Sequence, residues 1–99
     1  MTPSMAAIGV LTLELRLEYS HSLKEKRHVV QSLKDRLRRK FNVAVAEIDY
    51  QDLWQRALVA VATVSGDHGR AQLVLESVER EAAHLLGADL VQASTEWLE

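Results

Sequence analysis

The sequence predicts an α+β protein of element order βαββαβ. Hydrophobic residues alternate in four stretches and recur at helical spacing in two others, and the helical stretches are separated by two adjacent strands. From Ile8 to Tyr19, Leu11, Leu13, Leu15 and Leu17 alternate with Thr12, Glu14, Arg16 and Glu18, the period of a strand with one buried face. Ser22 then reads as a helix N-cap answered by Glu25 three residues later. From Leu23 to Phe41 the period becomes helical, placing Leu23, Val30, Leu33, Leu37 and Phe41 on one side, and Asn42 is expected to cap the end. VAVAEIDY and LWQRALVAVATV read as hairpin strands joined at Tyr50-Gln51-Asp52. Gly66, Asp67 and Gly69 break the pattern, with Asp67 suited to cap a second helix. That helix runs from Ala71 to Gly87, with Ala71, Val74, Leu75, Val78, Ala82, Leu85 and Leu86 in register. DLVQASTEWL alternates again as a last strand. Two right-handed crossovers in this order give a ferredoxin-like sandwich, a four-stranded antiparallel sheet with both helices on one face.

Ninety-nine residues is the size of one domain, expected to span 1–99. Hydrophobic residues at 47% and charged residues at 26% place it among globular chains. Cysteine is absent, which excludes disulfides, thiolate metal sites and cysteine nucleophiles and is compatible with the cytoplasm, the expected location. The start, MTPSMAAIGVLTLEL, lacks a basic leader region and soon alternates with charge, so neither a signal peptide nor a membrane span is expected there.

The third strand has Leu58, Ala60, Ala62 and Val64 on one side and Ala57, Val59 and Val61 on the other. A strand apolar on both faces should be covered on both, yet the helices cover one. The open sheet face is therefore expected to pack against further copies, as a dimer or higher homo-oligomer.

A net charge of −2 conceals a local asymmetry, because residues 22–41 hold eight cations against two acids, a balance of +6. Lys24, Arg27, Gln31, Lys34 and Arg38 follow at steps of three and four along the first helix, forming a polar ridge beside its apolar face. With Ser22 and Lys26 at the helix start, this is a candidate anion-binding surface for RNA phosphates or a phosphorylated ligand. The competing reading is a solvated face whose cations pair with acids, Asp35 with Arg39 among them. Lys26 lies toward the apolar side, so it is the cation most expected to have a specific partner. The hairpin segment EIDYQDLWQR gathers Glu47, Asp49, Asp52, Trp54, Gln55 and Arg56 as a candidate pocket. A catalytic carboxylate pair there competes with turn chemistry for Asp52, an Asp49–Arg56 pair and an anchoring Trp54.

No catalytic residue, cofactor or metal site is assigned. His21, His28, His68 and His84 have no ligand spacing, and SGDHGR matches neither a P-loop nor a dinucleotide fingerprint. The third strand offers no aromatic residue for base stacking, CxxC is absent, and EYSHSLKEKR is not a Gly-rich phosphate cradle.

The LKEKR helix start, the L-x-x-K-F-N helix exit, the A-E-I-D strand and the D-x-W-Q-R turn together resemble the YlxP-like family of small bacterial proteins, a domain family of unknown function. The resemblance covers roughly Ile8 to Leu90 and rests on Leu23, Lys24, Glu25, Lys26, Arg27, Phe41, Asn42, Glu47, Asp49, Asp52, Trp54, Gln55 and Arg56. It implies the same fold and an RNA-linked housekeeping role, and it brings no reaction or catalytic residue. The expectation is a non-enzymatic binding protein contacting RNA or a ribosomal particle, with a ligand pocket or a purely structural oligomer as alternatives.

Overall fold

The computed structural model describes residues 5–98. The reading of the chain's start falls partly on residues 1–4, outside the described residues. The elements follow the expected order: β1 (Ala7–Arg16), α1 (Leu23–Lys40), β2 (Ala44–Asp49), β3 (Arg56–Ser65), α2 (His68–Leu86), a 3-10 turn at Gly87–Asp89, and β4 (Leu90–Trp97). The strands form one sheet in the order β2-β3-β1-β4, and every neighbouring pair is antiparallel. This is the ferredoxin-like arrangement, and no helix of the described residues is long and apolar enough to cross a membrane.

The strand period decides what each sheet face holds. Leu11, Leu13 and Leu15 of β1 and Val59 and Val61 of β3 are buried in one cluster with Val30, Leu33 and Leu37 of α1 and Leu75, Val78 and Ala82 of α2. Trp97 of β4 lies against that cluster, opposite Gly9. A Cβ on Gly9 would stand 2.6 Å from the indole and 2.8 Å from Leu75, so only glycine admits the ring at this approach. His68 stacks on Trp97 with ring centroids 4.0 Å apart.

Several boundaries differ from expectation. β1 ends at Arg16 rather than Tyr19, because the Ser20 N–H turns back to the Leu17 carbonyl at 3.0 Å. Phe41, not Asn42, caps α1: its N–H donates to the Leu37 carbonyl at 2.9 Å while its side chain lies against the core. The chain leaves the helix extended there, so Asn42 takes no left-handed conformation. The hairpin connection covers 50–55, longer than three residues. Tyr50 adopts φ +62° and its carbonyl receives the Leu53 N–H at 3.0 Å, closing the turn before β3 begins. α2 starts at His68, with Asp67 capping it by accepting the Gly69 N–H at 3.0 Å. Leu85 is exposed rather than packed, since the buried cluster on α2 ends at Ala82.

Candidate functional site

The start of α1 is organised by its own side chains. The Ser22 hydroxyl accepts the Glu25 N–H at 3.1 Å, and Glu25 reaches back to accept the His21 N–H at 3.0 Å, a variant of the capping box one residue upstream. Ser20, fully buried, donates to the Ser22 carbonyl at 3.1 Å. Ser22 is thereby committed to the helix start.

Lys26 corrects its place among the anion-binding residues. It occupies the buried stripe Lys26-Val30-Leu33-Leu37 and has no exposed surface. Its ammonium donates to the carbonyls of Tyr50 at 2.7 Å, Arg56 at 3.2 Å and Gln51 at 3.3 Å. Those three bonds use all its protons, and Glu47 Oε2, buried and without a hydrogen bond, stands 2.9 Å away as the neutralising charge. A buried charge is tolerated only when paired and hydrogen-bonded, and here both conditions hold. Lys26 therefore clamps the hairpin turn onto α1 and is closed to an outside anion.

The remaining cations divide into two groups. Arg36 and Lys40 pair with Glu81 of α2 at 3.0 and 2.6 Å. The hydrogen bond from Lys40 leads in holding the Glu81 carboxyl below its ordinary value, with Arg36 reinforcing it and burial opposing. Arg38 meets Asp35 at 3.4 Å, in place of the expected Arg39, and Gln31 donates to the same carboxylate at 2.9 Å. Lys24, Arg27, Lys34 and Arg39 form no ion pair with any described residue. The first three, without Arg39, line one concavity of about 460 Å³ between α1 and β2, together with His28, Gln31 and Glu47.

The hairpin residues are not brought together as a catalytic group. Glu47 belongs to Lys26, and Asp49 accepts the Tyr50 N–H at 2.7 Å instead of pairing with Arg56. Arg56 reaches across to Glu14 of β1 at 3.1 Å and lies under the Tyr50 ring at 4.0 Å, its protonated form strengthened above all by the Glu14 hydrogen bond. Gln55 donates to the carbonyls of Glu18 at 3.0 Å and Ser20 at 3.2 Å, tying the hairpin to the approach of α1. Asp52 and Trp54 are exposed, and Asp52 to Arg56 line a separate concavity of about 350 Å³. Lys26 and Asp49 line neither concavity.

Sequence reasoning missed Tyr19 and His28. Tyr19, exposed, lines a depression of about 380 Å³ with Lys24, Glu25, His28 and Val29, on the other flank of the Lys24–His28 crest. Partial loss of solvent around the hydroxyl, followed by the charge and hydrogen bond of Asp89, raises its pKa. The alternating pattern hid Tyr19 by carrying it into the first strand.

A family model described as "Protein of unknown function (DUF503)" matches residues 8–95. The "Uncharacterized protein YlxP" of Bacillus subtilis (strain 168) is 39% identical over 71 residues, covering 72% of this chain and 77% of that protein. Among solved structures, the de novo designed protein Foldit4 aligns over 95% of this chain and 97% of its own, at TM-score 0.62 and 13% identity. A mutant form of SnoaB, a cofactor-independent oxygenase from Streptomyces nogalater, aligns over 97% of this chain and 93% of its own at TM-score 0.51 and 15% identity. At these identities the structural likenesses bear on the fold alone.

Proposed function

The chain belongs to the DUF503 family of proteins of unknown function, and from that premise we propose that it works by binding rather than catalysis, its α1 ridge following the phosphates of RNA, free or within a ribosomal particle. The observation that carries this reading is the contrast among the α1 cations. Lys26, Arg36, Arg38 and Lys40 are matched by acids of the same chain, whereas Lys24, Arg27 and Lys34 are left without an ion pair and line one concavity. Lys24 stands in the first helical turn, where the helix dipole disfavours a cation by about 0.3–1 kcal/mol unless an anion arrives. An RNA phosphate would satisfy it.

Phosphate contacts release counterions, so neutralising three phosphates on a single strand predicts a log-affinity against log-salt slope of about −2. Fluorescence anisotropy with labelled RNA oligonucleotides should give that slope, and the triple variant Lys24→Glu/Arg27→Glu/Lys34→Glu should abolish binding while the circular dichroism spectrum stays unchanged. Undiminished binding by the triple variant sinks the proposal.

The concavity between α1 and β2 favours a second reading, a small phosphorylated ligand held by the same cations. Affinity independent of oligonucleotide length, matched by a mononucleotide, would select it over RNA.

A further inference from the structure

The sheet face turned away from the helices is apolar along its centre. Register places Val10 of β1, Ala62 of β3 and Ala44 of β2 in one row, and Thr12, Ala60 and Ala46 in the next. Ile8 with Val64 closes one end, and Leu58 closes the other beside the bulge that carries Ile48. Ala44, Ala46, Ile48 and Val64 are exposed in the single chain, with Ile48 at 52% and Val64 at 60%. Small residues in the middle and larger ones at the ends make a shallow saddle.

We infer that this face is a homodimer interface, in which a second copy of the chain lays the same sheet face against it. Three arguments select a second copy. The first is area: strands of ten, six, ten and eight residues, at about 3.3 Å per residue and about 4.8 Å apart, present about 540 Å². Doubled by symmetry to about 1,100 Å², this clears the roughly 1,000 Å² expected of a biological interface.

The second is charge. Arg16 lies at one end of the face and Glu96, level with Val10, near the other, and neither has an ion pair with a described residue. A two-fold axis across the strands reverses the second sheet end for end and sets Arg16 of each copy toward Glu96 of the other, a self-complementary pattern. The third is chemistry. The face offers no aromatic residue at its outward strand positions for base stacking, and its charges balance, Arg16 and Arg56 against Glu14 and Glu96, so it has no net attraction for phosphates or anionic lipid surfaces. Covering β3 on both faces also accounts for its being apolar on both. The ridge of α1 lies on the other side of the sheet, so a dimer would present two ridges outward.

Sedimentation equilibrium of the full chain should give twice the 11.1 kDa chain mass at micromolar concentration. Ala62→Glu, at the centre of the face, should return the single-chain mass. Ile48→Lys, at a position already exposed and therefore safe for folding, should weaken association at least tenfold. Arg16→Glu should weaken it as well, and the added exchange Glu96→Arg should restore it. A single-chain mass for the wild type up to about 100 μM, or a dimer that survives both Ala62→Glu and Ile48→Lys, overturns the inference. If the dimer falls to those variants but Arg16→Glu has no effect, the face stands and the end-reversed orientation is overturned.

Discussion

Lys26 and Gly9 are the residues whose side chains, or lack of one, set local geometry. Replacing Lys26 by methionine keeps its length but removes the charge, leaving Glu47 and three carbonyls facing a buried methyl group. Removing one partner of a buried ion pair is expected to cost about 3–5 kcal/mol in urea unfolding. Lys26→Met/Glu47→Gln should recover part of that, since no uncompensated carboxylate remains; a double variant no more stable than the single would contradict the assignment. At Gly9 the added methyl of alanine cannot fit 2.6 Å from Trp97 without displacing the ring. Alanine would lower unfolded-chain entropy, a gain of about 0.4–1 kcal/mol, but overpacking is expected to cost about 1–3 kcal/mol and dominates. Gly9→Ala should therefore lower the melting temperature and alter the near-ultraviolet circular dichroism of the indole. A melting temperature equal to or above wild type would refute this close-packing account.

The two helices share one acid. Glu81, 9% exposed, receives Arg36 and Lys40 of α1 from its place on α2, so the pair is latched toward the C-terminal end of α1. Both cations are about half exposed, so solvent screening keeps the contribution modest. Its sign with pH is definite. Because the carboxyl is held below its ordinary value of 4.5, the stabilisation is fully present above that value and is lost as pH falls through the lowered one. Glu81→Gln should therefore melt earlier than wild type at pH 7, and the gap should close in strongly acidic buffer. An equal gap at pH 7 and pH 3 would exclude the latch. At the opposite end of α1, the clamp from Lys26 holds the hairpin turn, so each end of the helix is tied to a different element.

At the scale of the whole molecule the sheet divides the protein into two chemically distinct sides. One side carries the core, the helices and, on the outer surface of α1, the unpaired cations Lys24, Arg27 and Lys34; the other carries the apolar saddle. This separation makes the two proposals independently testable. Charge reversal on the ridge should leave the sedimentation mass unchanged, and Ile48→Lys should leave the salt slope of RNA binding unchanged while removing any gain from two ridges on one assembly.

The element order, the antiparallel sheet and nearly all of the buried core were legible in the sequence, because alternation and helical spacing follow directly from how side chains leave a strand or a helix. So was the singular position of Lys26, since a cation on an apolar stripe has no solvated alternative. Its partners were not legible. Tyr50, Gln51 and Arg56 supply backbone carbonyls, groups every residue has, and only the turn's path from φ +62° at Tyr50 brings three of them to one point. The ion-pair map was likewise decided by tertiary structure: Arg56 chose Glu14 over Asp49, Arg38 took Asp35, and Glu81 drew two cations across 41 and 45 residues of chain. Long charged side chains pair with whatever packing brings within about 4 Å, and sequence separation carries no information on that distance. Local periodicity thus determined which elements form and which faces are apolar, whereas the fold alone decided which cations remain free to meet another molecule.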